Sequence, residues 1–210
     1  VAGRNEHDAG EDSEEAPVRV AGRQELALKG EHNVENCLAA AAVCLSLGLG
    51  AAEVAGGLTS FAGVSHRLER GAVIDGVTYI NDSKATNVDA AIKALTAFDR
   101  GIHLILGGSL KGCSFDPLAA AAAADRVSEV LLIGEAAGEL KASFDRLGRS
   151  VTMAGDLQEA VRLAGSRAQE GDVVLLAPAC ASYDQYRNFE QRGEHFASLV
   201  NERKRGAGSE

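Results

Sequence analysis

From Arg67 onward, apolar segments of strand length alternate with segments of helical periodicity, and this alternation restricts the fold more than any other feature. Two segments, 102–108 (IHLILGG) and 172–178 (DVVLLAP), are almost continuously apolar, as expected for parallel strands that helices cover on both faces. Successive strand–helix units of this kind build a sheet with right-handed crossovers. The sequence therefore predicts an α/β fold with a doubly wound, mostly parallel, Rossmann-like sheet.

The individual elements follow from hydrophobic periodicity and from turn residues. Strands are predicted over 67–74, 77–81, 102–108, 129–134, 150–154 and 172–178. Helices are predicted over 87–98, 116–126, 135–147, 156–169 and 182–203.

The part before Arg67 has a different texture. Residues 18–30 read as two short strands around a turn at Ala21–Arg23. A helix is predicted next, with Asn33 as its N-cap and Gly48 and Gly50 after its end, and a second helix covers 51–58. We expect a domain boundary near 62–65.

The first residues, 1–17, are acidic and contain almost no large apolar side chain, so we expect disorder there. Because the sequence also begins with Val rather than Met, we expect it to be a portion of a longer protein.

Composition excludes several classes of protein. A net charge of -9 disfavours a general nucleic-acid binder, whose surface would be basic. The four cysteines form no CxxC pair, which argues against a zinc site or a disulfide scaffold. No segment reaches the ~20 apolar residues of a membrane span, and the acidic start cannot be a secretory signal. We therefore expect a cytoplasmic protein without nucleic-acid or membrane partners, and a monomer.

Residues 79–87 (YINDSKATN) are the most polar of the predicted strand-to-helix turns. In an α/β sheet, ligands bind outside the carboxyl ends of strands, where a helix N-terminus offers N–H groups to an anion. Capping of the helix would account for one polar side chain there, but not for six with a lysine among them. The six are Asn81, Asp82, Ser83, Lys84, Thr86 and Asn87.

Two further turns follow predicted strands and are expected at the same edge of the sheet. Residues 107–115 (GGSLKGCSF) contain paired glycines and Lys111, and residues 177–189 (APACASYDQYRNF) place Ser182 at the predicted start of the last helix. Two hydroxyls at helix starts, Thr86 and Ser182, together with one ammonium suit a small dicarboxylate. Each turn alone has an ordinary explanation: a flexible loop, a helix cap or a solvated charge.

Nucleotide motifs that would indicate other enzymes are missing from the sequence. It contains no GxxxxGK[ST] loop, and no predicted strand leads into GxGxxG. A dinucleotide dehydrogenase is therefore disfavoured, as is a triphosphate site made by this chain alone.

Five segments, in this order and spacing, resemble the C-terminal half of the Mur ligases, ATP-dependent amino-acid ligases of peptidoglycan precursor synthesis. The likeness covers residues 25 to about 200, and NDSKATN and PACASxDxxxxFExRG are typical of the branch that adds D-glutamate. The segments are GEHNVENCLAAAA, SHRLE, YINDSKATN, the GGxxKG turn and LLAPACASYDQYRNFEQRGEHF.

The resemblance implies a domain organisation. Residues 1–62 would be the end of a central ATP-binding domain, and 63–210 a C-terminal Rossmann-like domain that binds D-glutamate. The phosphate-binding loop, a carbamylated lysine and the Mg²⁺ ligands of the family would lie upstream.

The resemblance also implies residue roles. Asn33 and Asn36 match asparagines at the adenine of ATP, and Asp82 matches an acid at the ribose. Arg67 matches an arginine near the ATP phosphates and Lys84 a lysine at the reaction centre, so both are implied to be catalytic. The implied D-glutamate pocket consists of Thr86, Lys111, Ser182, Tyr183 and Phe189.

In the family, ATP with Mg²⁺ phosphorylates the carboxylate of a UDP-linked substrate, here UDP-N-acetylmuramoyl-L-alanine. The D-glutamate amine then attacks the acyl phosphate. We expect this chain alone to bind D-glutamate weakly and to turn nothing over. Two alternatives stay open: a Mur-type ligase for another amino acid, and a non-catalytic amino-acid-binding module.

Overall fold

A computed structural model describes residues 18–28, 31–61 and 63–207. The strands are β1 Glu69–Ile74, β2 Val77–Asn81, β3 Ile102–Gly107, β4 Val127–Ile133, β5 Thr152–Gly155 and β6 Val173–Leu176. The helices are α1 Glu31–Ser46, α2 Ala51–Ser60, α3 Val88–Leu95, α4 Asp116–Ala122, α5 Ala137–Asp145, α6 Leu157–Arg167 and α7 Phe189–Ala207.

The six strands form one sheet in the order β1-β2-β6-β3-β4-β5, and all neighbours are parallel except β1 and β2. The predicted α/β class with a mostly parallel sheet is thus confirmed. The antiparallel pair is a hairpin in which Asp75 and Gly76 both have positive φ, 50° and 77°. An Asp-Gly pair between two strands is the usual sequence of such a tight turn.

Helices cover both faces of the sheet. On one face, Leu104 and Leu106 of β3 pack with α3, α4 and α5, and on the other Ile105 packs with α6 and α7. Successive side chains of a strand point to opposite faces of the sheet. Because helices cover both faces, the side chains on both are apolar. The continuously apolar sequence of β3 is therefore a direct consequence of its central position.

Helices α1 and α2 pack against each other before the sheet begins. Unlike the sheet core, α1 leaves large apolar side chains such as Leu38 and Val43 more than half exposed. The predicted domain boundary near 62–65 lies between α1–α2 and the sheet, and it stays a prediction.

The strands predicted over residues 18–30 are wrong for the residues that the structure describes. Within residues 18–28 there is no strand; a 3-10 turn, Arg23–Glu25, takes its place, because the Glu25 N–H donates to the carbonyl of Gly22 at 2.9 Å. The predicted disorder of 1–17 lies outside the described residues, as does the end of the segment 18–30.

Among the described residues, no helix combines the length and the apolar character that a membrane span requires.

Candidate functional site

Three polar turns meet at one edge of the sheet because of the strand order. Strand β6 lies between β2 and β3, so the turns that follow these three strands are neighbours. We name them the first turn (82–87, after β2), the second turn (108–115, after β3) and the third turn (177–188, after β6). The convergence expected from the sequence is therefore present in the structure.

Backbone and side-chain hydrogen bonds connect the turns. Lys111 Nζ in the second turn donates to the carbonyl of Thr86 in the first at 2.9 Å. The Ser109 N–H donates to the Ala181 carbonyl at 2.9 Å, and the Ala179 N–H to the Ala85 carbonyl at 2.9 Å. Each turn is thus bonded to at least one other.

Glycine is required where the second turn leaves the sheet. Gly107 has φ 127°, and a Cβ on it would lie 1.9 Å from the carbonyl oxygen of Ile133 on the neighbouring strand. The paired glycines therefore serve the close packing of backbone on backbone here, as well as any approach to a ligand.

The structure corrects the expected start of the last helix. Helix α7 begins at Phe189 rather than at Ser182, because the Asn188 carboxamide accepts the Gln191 N–H at 2.8 Å and so caps the helix. Ser182 instead lies in a tight turn in which its carbonyl accepts the Tyr186 N–H at 2.7 Å. Phe189 is accordingly the first helical residue and not two turns along the helix.

The predicted amino-acid-binding residues occupy different depths around the turns. Ser182 is 2% exposed, Thr86 and Phe189 are half-buried, Lys111 is exposed, and Tyr183 is 75% exposed. Thr86 precedes the cap residue Asn87, whose carboxamide oxygen accepts the Ala90 N–H at 2.8 Å. Their roles in binding stay predictions.

A cavity of about 290 Å³ lies between α1 and the first turn. Its lining includes all five residues assigned to the nucleotide or to catalysis: Asn33, Asn36, Arg67, Asp82 and Lys84. Asn33 is not the predicted N-cap, because α1 already begins at Glu31. Lys93 also lines the cavity and was not predicted; a lysine in the last helical turn of α3 gives no sequence signal.

Asp82 is the most perturbed acid of this cavity. Burial raises the pKa of its carboxyl to about 6, against the opposing effects of the bond from the Leu68 N–H and the charge of Arg67. The carboxyl is 7% exposed and accepts the Leu68 N–H at 3.2 Å. A buried carboxylate at the end of a strand is typical of a functional site.

Lys84 is held between the cavity and the last helix. Its ammonium lies 4.3 Å from the centroid of the Phe189 ring, within cation–π range. The His66 ring meets the same phenyl ring edge-on, with 6.3 Å between centroids. Phe189 therefore contacts Lys84, a residue of the cavity lining, whereas the resemblance implied a place for Phe189 in the amino-acid pocket.

Two further residues at this edge were missed by the sequence reasoning. Arg192 is fully buried beneath the turns, and Asp184 Oδ2 accepts the Glu135 N–H at 3.0 Å, which ties the third turn to the one after β4. No local pattern pointed to the arginine; its neighbour Gly193 indicates only close packing, since a Cβ there would lie 2.2 Å from Nδ1 of His66.

No three His, Cys, Asp or Glu side chains within the described ranges are grouped so that they could hold a metal ion.

Comparison with known proteins places the chain in a family. Residues 66–180 match the family model described as Mur ligase, glutamate ligase domain. The chain belongs to the Mur ligase family, of which it contains the C-terminal domain.

Particular relatives carry a more specific name. The chain is 47% identical over 84% of its length to the UDP-N-acetylmuramoylalanine--D-glutamate ligase of Koribacter versatilis, and 48% identical over 91% to that of Acidobacterium capsulatum. It covers 38% and 41% of these proteins, so it spans about two fifths of the length of the curated relatives it matches.

Solved structures support the fold. A pseudomurein peptide ligase type C from Methanothermus fervidus has a TM-score of 0.59 at 21% identity. The match includes 83% of this chain and 36% of the ligase. The MurF ligase of Thermotoga maritima, solved in complex with ADP, matches 81% with a TM-score of 0.56 at 20% identity, using 39% of its length.

Proposed function

We propose that this chain is the amino-acid-binding part of an ATP-dependent ligase that joins D-glutamate to UDP-N-acetylmuramoyl-L-alanine. The observation that carries the proposal is the convergence of the three turns: Lys111 Nζ of the second donates to the Thr86 carbonyl of the first at 2.9 Å, and backbone hydrogen bonds join both to the third, which contains the buried Ser182. It brings an ammonium and two hydroxyl-bearing residues from three turns to one edge, the set that a small dicarboxylate needs. The name of the relatives at 47% and 48% identity supports the same substrate.

Lys111 would bind one carboxylate of D-glutamate, and the hydroxyls of Thr86 and Ser182 the other. The free amine then attacks the carbonyl carbon of the acyl phosphate, a C–N bond forms, phosphate leaves with the C–O bond electrons, and the amine loses a proton. A carboxylate is a poor electrophile until it is phosphorylated, so ATP is required as a co-substrate.

On the nucleotide side, the proposal assigns the cavity beside the first turn to ATP. Arg67 and Lys84 would supply positive charge where oxyanions develop, Asp82 would accept a ribose hydroxyl, and Asn33 and Asn36 would contact the adenine. Within the described ranges no three His, Cys, Asp or Glu side chains are grouped as metal ligands, so this chain offers no complete protein cage for Mg²⁺ there. Its ligands and the phosphate-binding loop therefore belong, on this proposal, to the longer protein that would contain this chain.

The test is phosphate release by that longer protein, with ATP, the UDP-linked acceptor and one amino acid at a time. We expect turnover with D-glutamate and a loss of at least about a hundredfold in kcat/KM with L-glutamate or D-alanine, because each wrong ligand leaves a buried polar group unpaired. Preference for a different amino acid would assign the chain to another Mur-type ligase. Amino-acid binding without any phosphate release would indicate a non-catalytic module.

The chain by itself serves as the control. We expect it to release no phosphate from ATP under the same conditions, since it offers neither a phosphate-binding loop nor a metal site among its described residues. ATP-dependent ligation by the chain alone would contradict this part of the proposal.

A further inference from the structure

Arg192, on the first turn of α7, is 1% exposed and uses all five of its N–H groups in hydrogen bonds. Nε donates to Ser83 Oγ at 3.0 Å and Nη2 to the Ser83 carbonyl at 2.9 Å, both in the first turn. Nη1 donates to the carbonyls of Gly107 at 3.4 Å and Ala181 at 3.3 Å, and Nη2 to that of Cys180 at 3.1 Å. One side chain thus contacts the first and third turns and the strand end from which the second begins.

The charge of Arg192 has no bonded counter-charge among the described residues, since all five acceptors are neutral oxygens. Burial lowers the pKa of the guanidinium to about 10, with Cys180 and Asp184 acting in the opposite direction, so it is a cation at neutral pH. A buried cation is costly to keep unless it is fully hydrogen-bonded. An apolar side chain could fill the same space without that cost, so the arginine is not explained by packing alone.

We propose that Arg192 is a positioning residue of the amino-acid pocket: it fixes the first, second and third turns relative to one another and places a positive charge beneath them. The inference rests on the proposed function for the identity of the ligand, an amino-acid dicarboxylate. The bonding itself does not depend on that ligand.

Two substitutions separate the bonds from the charge. Arg192→Lys keeps the cation, but its three N–H groups cannot reach acceptors on three segments at once. Arg192→Met removes both the charge and the bonds while keeping a flexible stem of similar length. Phe196→Leu is the matched control, because Phe196 is buried on the same helix one turn later and packs in the core of the α6–α7 face.

The first experiment measures amide hydrogen exchange in this chain without ligand. In Arg192→Lys we expect the inter-turn amides of Ser109 and Ala179 to exchange about tenfold faster or more, relative to core amides such as that of Leu104. Phe196→Leu should change both groups by the same factor. If Arg192→Lys also accelerated exchange of the inter-turn amides and the core amides by the same factor, the proposal would be overturned.

A measurement on the unsubstituted chain keeps the test valid if the variants fail to fold. The Nε–H proton of Arg192 should exchange no faster than the amides of Ser109 and Ala179, because the turns would have to separate before it is released. A proton that exchanges clearly faster than those amides would show that the turns hold without the arginine, which would also overturn the proposal.

The second experiment measures steady-state kinetics of the longer protein. Arg192→Lys should raise KM for D-glutamate about tenfold or more and leave KM for ATP unchanged, with a larger rise for Arg192→Met. A purely structural role would lower the active fraction, and thus kcat, and leave both KM values unchanged. If the unsubstituted protein rejects D-glutamate, the proposed function fails while the exchange result still decides the role of Arg192.

Discussion

The two candidate binding regions of this chain are built differently. On the amino-acid side, three turns are bonded to one another and to Arg192, so that backbone positions are fixed by this chain alone. On the candidate nucleotide side, a cavity of about 290 Å³ lies between the first turn and α1, a helix that leaves Leu38 66% exposed. The difference predicts that amino-acid binding is preorganised within this chain, whereas nucleotide binding needs groups from the rest of a longer protein.

The largest predicted effect concerns the buried charge of the nucleotide side. The folded-state pKa of Asp82, about 6, lies above its unfolded value of 3.8, so the folded state binds the proton more tightly. Stability of the unsubstituted chain should therefore rise as the pH falls from 7 towards 4. Asp82→Asn removes the charged form and should stabilise the chain by about 3 kcal/mol at pH 7 and by only about 1 kcal/mol at pH 4.5.

Chemical denaturation at the two pH values measures this difference. The control is Asp145→Asn, on the exposed face of α5 where its carboxylate pairs with Lys141 at 2.6 Å, and its effect should stay below about 0.5 kcal/mol at both pH values. A stabilisation by Asp82→Asn that grows as the pH falls would contradict a folded-state pKa of this carboxyl that burial raises.

The next effect separates the two sides by function. Lys111→Met removes the ammonium proposed for a carboxylate of D-glutamate and should raise KM for D-glutamate about thirtyfold, since a charge-assisted hydrogen bond contributes about 1.5–3 kcal/mol. KM for ATP should not change. Steady-state kinetics of the longer protein measures both values.

Lys141→Met is the matched control, because it removes an exposed lysine that pairs with Asp145 on its own helix. It should leave both KM values as they were. If Lys111→Met raised KM for D-glutamate and KM for ATP equally, Lys111 would not act on the amino-acid region alone, and the distinction between the two regions would fail.

The smallest effect tests whether every polar residue of the first turn belongs to a binding site. The Asn87 side chain caps α3, so Asn87→Ala should cost about 1 kcal/mol of unfolding free energy and leave amino-acid affinity unchanged. Asp156→Ala removes the equivalent cap of α6, where Asp156 accepts the Glu159 N–H at 2.8 Å, and should cost a similar amount. A loss of affinity without a loss of stability would mean that Asn87 contacts the ligand.

The central part of the fold was predictable because its strands, such as β3 and β6, are apolar throughout and lie between clear turn residues. The three turns were predictable as a group, since carboxyl ends of parallel strands meet at one edge. Their adjacency in the order β2-β6-β3 was not, because strand order depends on tertiary packing that no local pattern encodes.

The errors at the last helix have two different causes. Residues 182–188 contain no glycine or proline that would exclude them from the predicted helix, but the Asn188 carboxamide caps a helix that starts only at Phe189. Arg192 was missed because an arginine on an amphipathic helix ordinarily reads as a solvated charge. Its burial is visible only from the neutral carbonyls around it, among them those of Ser83 and Gly107, which precede it by more than eighty positions in the chain.

The most direct test of the central claim is an NMR titration of this chain with D-glutamate, with L-glutamate as the control. Chemical-shift mapping tolerates the weak affinity expected when nucleotide and acceptor are missing. The account predicts shifts for the D-isomer only, centred on Thr86, Lys111 and Ser182, and none on the cavity residues Asn36 and Arg67. Equal shifts with both isomers, or shifts confined to the cavity, would contradict a preformed amino-acid pocket at the three turns.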